Sequence, residues 1–187
     1  MPDTIKPYEM ITDFVTGDKI PNIGAEENRQ RVERFLVEKK GYRKSEIEVG
    51  VPIHLEVSGE PYRSTVDLVI RLQGKRLMVI KCVAGSMGSR HRETLAAARL
   101  LDAYQIPFAV VSDGKSAHLL DTATGDIIAE EIDALPSRDE ALEKLDGLRF
   151  EPFPESKADR EKIIFRSYDE MNVNVARTLQ SGPEEAS

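Results

Sequence analysis

Residues 65–83 read TVDLVIRLQGKRLMVIKCV, and this stretch decides the fold of the chain. In its first part, apolar residues recur with the period of two that a half-buried strand requires. Residues 77–83 are apolar on both faces except for Lys81, which is typical of a central strand. Because Gly74 separates the two parts, the pattern predicts a hairpin of buried strands with Asp67 in the first strand.

The register of this hairpin determines whether Asp67 and Lys81 lie on the same face of the sheet. They share a face if Leu72 pairs with Arg76 across a three-residue loop, residues 73–75. A two- or four-residue loop would turn one of them to the other face. We expect the shared face and an ion pair between the two side chains.

The rest of the chain predicts an α/β fold with one mixed β-sheet flanked by α-helices. Predicted helices cover residues 26–40, 90–104, 138–145 and 157–171, and the other strands cover residues 47–57, 107–112, 117–120 and 127–128. Pro52 indicates an edge strand. Ser137 and Ser156 begin sequences that resemble capping boxes. The last helix is expected to bury Ile163, Ile164, Tyr168 and Met171.

A chain of 187 residues is long enough to bury a core as one domain. We expect an irregular lead-in at residues 1–24, a single domain at residues 25–180 with C-terminal helices from about residue 137, and a disordered tail at residues 181–187. No apolar run approaches the roughly 20 residues that span a bilayer, and residues 1–9 lack the apolar core of a secretory signal. With a single cysteine, Cys82, the chain is expected to be cytoplasmic and without membrane contact.

Charge is distributed unevenly along the chain. The net charge of -7 argues against a globally basic nucleic-acid binder. Residues 68–92, however, contain six basic residues and no acidic one, whereas residues 113–155 contain twelve acidic and four basic residues. This asymmetry suits a protein that binds phosphate on one face. The alternative interpretation of this asymmetry is a solvated surface with uneven charge.

Several motifs occur in a fixed order: Gly24-x-Glu26-Glu27-x-Arg29-Gln30, Gly41-Tyr42, Glu48, Asp67, Val79-Ile-Lys-Cys-Val83 and Pro107-Phe-Ala-Val-Val-Ser-Asp-Gly114. Together they resemble the N-terminal nuclease domain of type I restriction-enzyme R subunits, in the PD-(D/E)xK nuclease superfamily, over residues 24–125. The resemblance implies a restriction-endonuclease-like core without the helicase motor of a full subunit. It also implies Mg²⁺ held by an Asp and a Glu, with a Lys that activates the attacking water.

The sequence departs from that pattern at the catalytic motif. Asp67 matches the family's Asp, but Lys81-Cys82-Val83 replaces the expected Glu-x-Lys. An ammonium group at the position of a carboxylate ligand repels Mg²⁺. The family's later Gln-x-x-x-Tyr is also missing from residues 92–101. We therefore predict an impaired nuclease domain that needs no cofactor and binds DNA or another anion.

Two alternatives remain open. The first is an active Mg²⁺-dependent DNA endonuclease with a rearranged site, in which Asp67 and Glu27, or Glu26, hold the metal and Lys81 serves as the displaced lysine. The second is a protein-interaction or regulatory module on the same scaffold. Under each of these three interpretations the protein can form a homodimer.

The predicted anion-binding residues are basic and hydroxyl side chains in and after the central strand. They are Lys75, Arg76, Ser86, Ser89, Arg90 and Arg92. Residues 86–92 come directly before a helix, whose free N–H groups favour anions. Ordinary helix capping by Ser89 is the alternative interpretation. The three histidines, His54, His91 and His118, show no ligand-like spacing with Cys82, so no zinc site is expected.

Overall fold

The computed structural model describes the backbone of residues 8–181 and the side chains of residues 8–171. Before the main sheet come strands β1 (Met10–Thr12) and β2 (Lys19–Pro21) and helix α1 (Glu26–Glu38). The main elements follow as β3 (Ile47–Val57), β4 (Glu60–Leu72), β5 (Lys75–Cys82), α2 (His91–Leu100), β6 (Phe108–Ser112), β7 (Ala117–Asp121), β8 (Ile127–Ala129), α3 (Arg138–Lys144) and α4 (Glu155–Ser181). Within the described residues, no helix is both long and apolar enough to cross a membrane. Residues 182–187 of the predicted tail lie outside them.

Six strands form one mixed sheet in the spatial order β3-β4-β5-β6-β7-β8. All neighbouring strands pair antiparallel except β5 and β6. These two strands are parallel, and α2 lies in the connection between them. Helices α1 and α3 pack on one face and α2 and α4 on the other. The predicted fold class is therefore confirmed. The strand that contains Pro52 lies at the edge, and the apolar strand β5 lies inside the sheet, both as predicted.

The loop of the β4–β5 hairpin differs from the expected one. Leu72 pairs with Lys75 rather than with Arg76, so the loop has two residues, Gln73 and Gly74. Both have positive φ, 48° and 79°, which is the combination of a type I′ turn. The expectation of a three-residue loop is therefore wrong.

A β-bulge nevertheless produces the expected register at the other end of the hairpin. Leu77 is an extra residue on β5, and beyond it Leu68 pairs with Ile80. The same register places Asp67 opposite Lys81. The two side chains form an ion pair, as the sequence predicts, because the bulge offsets the change that the shorter loop makes.

Helix α2 ends four residues earlier than predicted. Its last residue is Leu100, and the N–H of Ile106 then donates to the carbonyl of Ala98 at 2.8 Å. Pro107 follows, and a residue before proline is disfavoured in helical conformation. The chain therefore leaves the helix in time to enter β6.

Helix α4 buries only part of the predicted face, with Ile164 packed against the core as expected and Tyr168 half-buried. Ile163 and Met171 are 49% and 58% exposed, whereas Phe165 is buried. The inward positions include two acids, which pair with groups across the interface: Glu161 with Arg99, and Asp169 with Tyr62. The expectation failed because it considered apolar residues alone. The helix also begins at Glu155, so Ser156 lies inside it and is not its cap, whereas the Ser137 capping box of α3 is confirmed.

A buried ion network joins the β1–β2 hairpin to α1. Arg29 forms ion pairs with three carboxylates, those of Asp13 at 2.8 Å, Glu26 and Glu33. Gln30 also donates to Asp13 at 3.1 Å. The hairpin lies within the lead-in that the sequence predicted to be irregular, and this network positions it against the rest of the domain.

One cation among three carboxylates makes the network sensitive to pH. Glu33 is fully buried, and burial raises its pKa from 4.5 to about 7. The negative charges of Asp13 and Glu26 add to this rise, while Arg29 opposes it. Glu33 therefore takes up a proton near neutral pH.

Replacing Glu33 with Gln is expected to flatten the dependence of stability on pH. The folded state keeps a proton on Glu33 that the unfolded chain releases, so the free energy of unfolding falls as the pH rises from about 4.5 to about 7. We expect Glu33 to contribute a loss on the order of 3 kcal/mol across this range in the wild type, and this contribution to be absent from Glu33→Gln. Urea unfolding at a series of pH values measures both.

Glu27 provides the matched control. It is on the same helix, its side chain is 67% exposed, and it pairs with Arg31. Glu27→Gln should keep the wild-type pH profile. If Glu33→Gln keeps it too, Glu33 does not titrate as described.

Candidate functional site

A cleft of about 670 Å³ opens at the C-terminal end of β5, beside the middle of β4. Asp67, Lys81 and Cys82 line it from these strands. Further lining residues come from before β1, where Tyr8 lies, and from the chain between β2 and the first turn of α1, which includes Glu26. The loop between β5 and α2 supplies the rest. The cleft thus lies among four segments that are far apart in sequence.

Asp67 replaces a backbone acceptor at the end of the strand ladder. The backbone pairing of β4 with β5 extends to Leu68 and Ile80. Beyond this pair, the N–H of Cys82 donates to the side-chain oxygen Oδ2 of Asp67 at 2.8 Å. The carboxylate therefore has a structural partner of its own. Asn28 of α1 donates to the carbonyl of Val83 at 2.8 Å and fixes the helix against the chain that leaves β5.

Lys81 lies between two carboxylates from different elements. Its Nζ atom is 3.9 Å from Asp67 Oδ2 and 3.4 Å from Glu93 Oε1. Glu93 is in the first turn of α2 and is 3% exposed. Its other oxygen, Oε2, is 3.6 Å from Arg90 Nη1. Two cations and two carboxylates therefore alternate along one chain of ion pairs.

Lys81 remains charged in this environment. Burial lowers its pKa, but the negative charges of Asp67, Glu93 and Asp169 outweigh burial and raise the pKa above its ordinary value. Asp169 is a buried residue of α4 and accepts a hydrogen bond from the Tyr62 hydroxyl at 2.5 Å. The ammonium group is a permanent positive charge at neutral pH.

The loop after β5 brings three of the predicted anion-binding residues to the cleft: Ser86, Ser89 and Arg90. The Ser89 hydroxyl donates to the carbonyl of Ser86 at 2.9 Å. The N-cap of α2 is Arg90 and has no side-chain cap, so Ser89 does not cap this helix. The loop supplies hydroxyl groups and a guanidinium beside the Lys81 ammonium.

The other predicted anion-binding residues lie elsewhere. Lys75 and Arg76 are at the opposite end of β5, where Arg76 makes two hydrogen bonds to Glu48 at 2.9 and 3.0 Å. The Lys75 ammonium lies over the rings of Tyr104 and Phe150. Arg92 is exposed and does not line the cleft.

Of the two acidic residues in the first turn of α1, one lines the cleft and the other does not. Glu26 lines the cleft, where it pairs with Arg29 and accepts a hydrogen bond from Gln30. Glu27, the candidate metal ligand, pairs with Arg31 at 2.8 Å and does not line the cleft. The structure thus brings Asp67 and Lys81 together and leaves Glu27 outside.

Sequence reasoning missed two features of this region. Glu93 was not considered, although a carboxylate three residues after Arg90 in a helix start is a visible signal. The second feature is a histidine pair: His91 Nε2 and His118 Nδ1 are 2.7 Å apart. These residues are 27 positions apart in the chain, and only the pairing of β7 with its neighbours brings them together.

Comparison with known proteins identifies the domain. Residues 24–136 match the family model of the type I restriction enzyme R protein N terminus. The chain belongs to this family. The resemblance inferred from the ordered motifs is thereby confirmed, and the cleft lies within a domain of the R-protein N-terminal family.

A solved structure supports the same fold for this R-protein N-terminal domain. It is the fragment structure of a putative HsdR subunit of a type I restriction enzyme from Vibrio vulnificus YJ016, with a TM-score of 0.51 and 14% sequence identity. The match covers 67% of this chain and 26% of that chain. At this identity the likeness concerns the fold alone. No curated protein matches the sequence.

The side chains of this R-protein N-terminal domain do not fit the Mg²⁺ that a nuclease of this type would hold. Mg²⁺ takes oxygen ligands in near-octahedral geometry. Asp67 already accepts the Cys82 N–H and lies beside an ammonium, and Glu26 pairs with Arg29. Among residues 8–171, no group of three or more His, Cys, Asp or Glu side chains is arranged to hold a metal ion. The groups that this cleft offers are an ammonium, a guanidinium and hydroxyls.

Replacing Lys81 with Met is expected to lower the free energy of unfolding by about 3 kcal/mol, because Glu93 and Asp67 lose the cation between them. Adding Glu93→Gln should recover part of this loss. The two substitutions are expected to couple by about 1 to 3 kcal/mol in a double-mutant cycle measured by urea unfolding.

Lys75→Met is the control on the same strand and should cost about 1 kcal/mol or less. Additive effects of Lys81→Met and Glu93→Gln would mean that the two residues do not interact as the distances indicate.

Proposed function

We propose that this domain binds the phosphate groups of a nucleic acid in the cleft without a divalent metal and does not cut the strand. The observation that carries this proposal is the position of the Lys81 ammonium between Asp67 and Glu93. A permanent cation there attracts phosphate and repels the metal that cleavage requires.

Lys81 has hydrogen-bonding capacity left for a ligand. An ammonium group has three N–H donors, and direct hydrogen bonds from nitrogen to oxygen usually measure about 2.7 to 3.2 Å. Its contacts with Asp67 and Glu93 are longer, at 3.9 and 3.4 Å. The side chain is 20% exposed and lines the cleft. A phosphate oxygen in the cleft therefore has a donor to bind.

Arg90 supplies the second cation. Its contact with Glu93 measures 3.6 Å, and its side chain is 23% exposed at the cleft. A guanidinium binds phosphate through two parallel hydrogen bonds, which also orients the ligand. Because Lys81 and Arg90 already pair with carboxylates that phosphate must compete with, we expect moderate affinity that depends strongly on salt.

Family membership selects DNA as the first ligand to test. The domain belongs to the N-terminal family of type I restriction enzyme R proteins, and a restriction enzyme acts on DNA. Single-stranded, duplex and branched DNA all present the same phosphate chemistry. The comparison among them defines which form the cleft accepts.

Arg90→Ala is expected to weaken DNA binding and to reduce the slope of log affinity against log salt by about 0.7 to 0.9, the contribution of one phosphate contact. Arg92→Ala is the matched control, because Arg92 is two residues away and does not line the cleft. It should leave the slope near that of the wild type. Fluorescence anisotropy with labelled DNA in EDTA at several salt concentrations measures both.

Two results would contradict the proposal. One is a salt slope near zero for the wild type, and the other is an equal effect of Arg90→Ala and Arg92→Ala. The double variant Lys81→Met/Glu93→Gln, which keeps the charge balance, should bind more weakly than Arg92→Ala. Size-exclusion chromatography with light scattering on the free protein separates a monomer from the homodimer that the sequence leaves open.

A metal-dependent endonuclease is the second candidate, and the cluster of Asp67, Lys81 and Glu93 favours it. These are the residue types of the superfamily's active site, with Glu93 of α2 in the place that the sequence suggested for Glu27. Cleavage of DNA with Mg²⁺ or Mn²⁺ that is lost in Asp67→Asn would replace the binding proposal. Capture of a protein partner by a domain that retains no DNA would favour the interaction module instead.

A further inference from the structure

A row of side chains crosses the sheet from the cleft to a pair of histidines. Lys81 of β5 pairs in register with Val111 of β6, and Val111 pairs with His118 of β7. Residues directly opposite each other share a face of the sheet. His118 therefore lies on the same face as Lys81, two strands away, which is about 10 Å at the usual strand spacing.

The second histidine connects this row to the helix that carries the cleft cations. His91 is the first residue of α2, directly after Arg90 and two residues before Glu93. Its ring meets that of His118 edge to face, with centroids 4.9 Å apart. Both rings are half-buried. A change in the charge of this pair thus occurs beside the residues that bind phosphate in the proposed function.

The short contact requires a shared proton. At 2.7 Å, one imidazole donates an N–H and the other accepts it, because two N–H groups would repel and two lone pairs would not bond. A first extra proton goes to the outer nitrogen of the donor ring and leaves the hydrogen bond intact. A second extra proton must occupy the accepting nitrogen, which breaks the bond. The pair therefore titrates in two steps.

We propose that the His91–His118 pair makes phosphate binding at the cleft respond to pH, and this inference rests on the proposed function. Each proton that the pair takes up places a positive charge near Lys81 and Arg90 and raises the affinity for phosphate. The second proton also releases the first residue of α2 from β7.

The surroundings of the pair agree with this behaviour. Burial lowers the pKa of His91, and the neighbouring His118 lowers it further, while the carboxylate of Glu130 after β8 raises it. On α2 itself the adjacent charged groups are Arg90, Arg92 and Glu93. Glu33 also titrates in this range and is paired with Arg29, which lines the cleft. An experiment must therefore separate the histidines from Glu33.

The first measurement is an NMR titration of the histidine side chains in the wild type. The chain contains three histidines, and His54 on the edge strand β3 is exposed and serves as the internal reference. We expect two separated steps shared by His91 and His118. Independent single curves for these two residues would overturn the shared proton. This measurement requires no substitution and no DNA.

The second measurement compares DNA affinity at about pH 8 and about pH 5.5 in the wild type, in His54→Phe and in the double variant His91→Phe/His118→Phe. The double variant retains Glu33, so any pH dependence left in it belongs to that residue. We expect the wild type and His54→Phe to gain about two- to tenfold more affinity on acidification than the double variant. Equal gains in all three proteins would overturn the inference.

The two measurements distinguish this inference from the proposed function. If DNA does not bind at any pH, the phosphate-binding proposal fails, and the regulatory role fails with it, whatever the histidines do. If DNA binds and the two-step titration is present, but the DNA affinity does not change with protonation of the histidine pair, the proposed function stands and the proposed regulation is wrong. A circular dichroism spectrum of the double variant at each pH shows whether it is folded.

Discussion

The chain of ion pairs from Asp67 through Lys81 and Glu93 to Arg90 is the constraint on which the cleft depends. It joins β4 and β5 to the first turn of α2, and Glu93 is too deeply buried to be left without a cation at low cost. A carboxylate in place of Lys81 would put three acids around this point. The position therefore selects a cation for electrostatic reasons, and the proposed binding of phosphate without Mg²⁺ rests on the same cation.

Much of the fold follows from local patterns in the sequence. Pro52 in β3 and the doubly apolar run of β5 predicted an edge and an interior strand, because proline is confined to sheet edges and burial on two faces requires apolar residues on both. The loop of the β4–β5 hairpin and the extra residue Leu77 could not be predicted together. Each one alone would turn Asp67 away from Lys81, and only their combination has the observed effect. A pattern of alternation does not reveal two compensating irregularities.

Contacts of the site that form within the β4–β5 hairpin could be predicted from the sequence. Contacts that depend on how helices pack on the sheet could not. The pairing of Asp67 with Lys81 follows from strand register, but the inward turn of Glu93 depends on how α2 packs on the sheet. Helix α4 shows the same limit: its buried face was misjudged because Glu161 and Asp169 find partners on other elements. A buried acid and a solvated acid look alike in a sequence. Lys75 and Arg76 lie at the other end of β5, because residues near a site in sequence can be far from it along a strand.

The central claim is that an ammonium group occupies the place of a metal beside Asp67. A crystal of the protein soaked in Mn²⁺ and measured for anomalous scattering tests this claim most directly. The account predicts no anomalous peak in the cleft, with Lys81 Nζ still close to both Asp67 and Glu93. A peak bound to Asp67 and Glu93 oxygens, with the Lys81 side chain displaced, would contradict it.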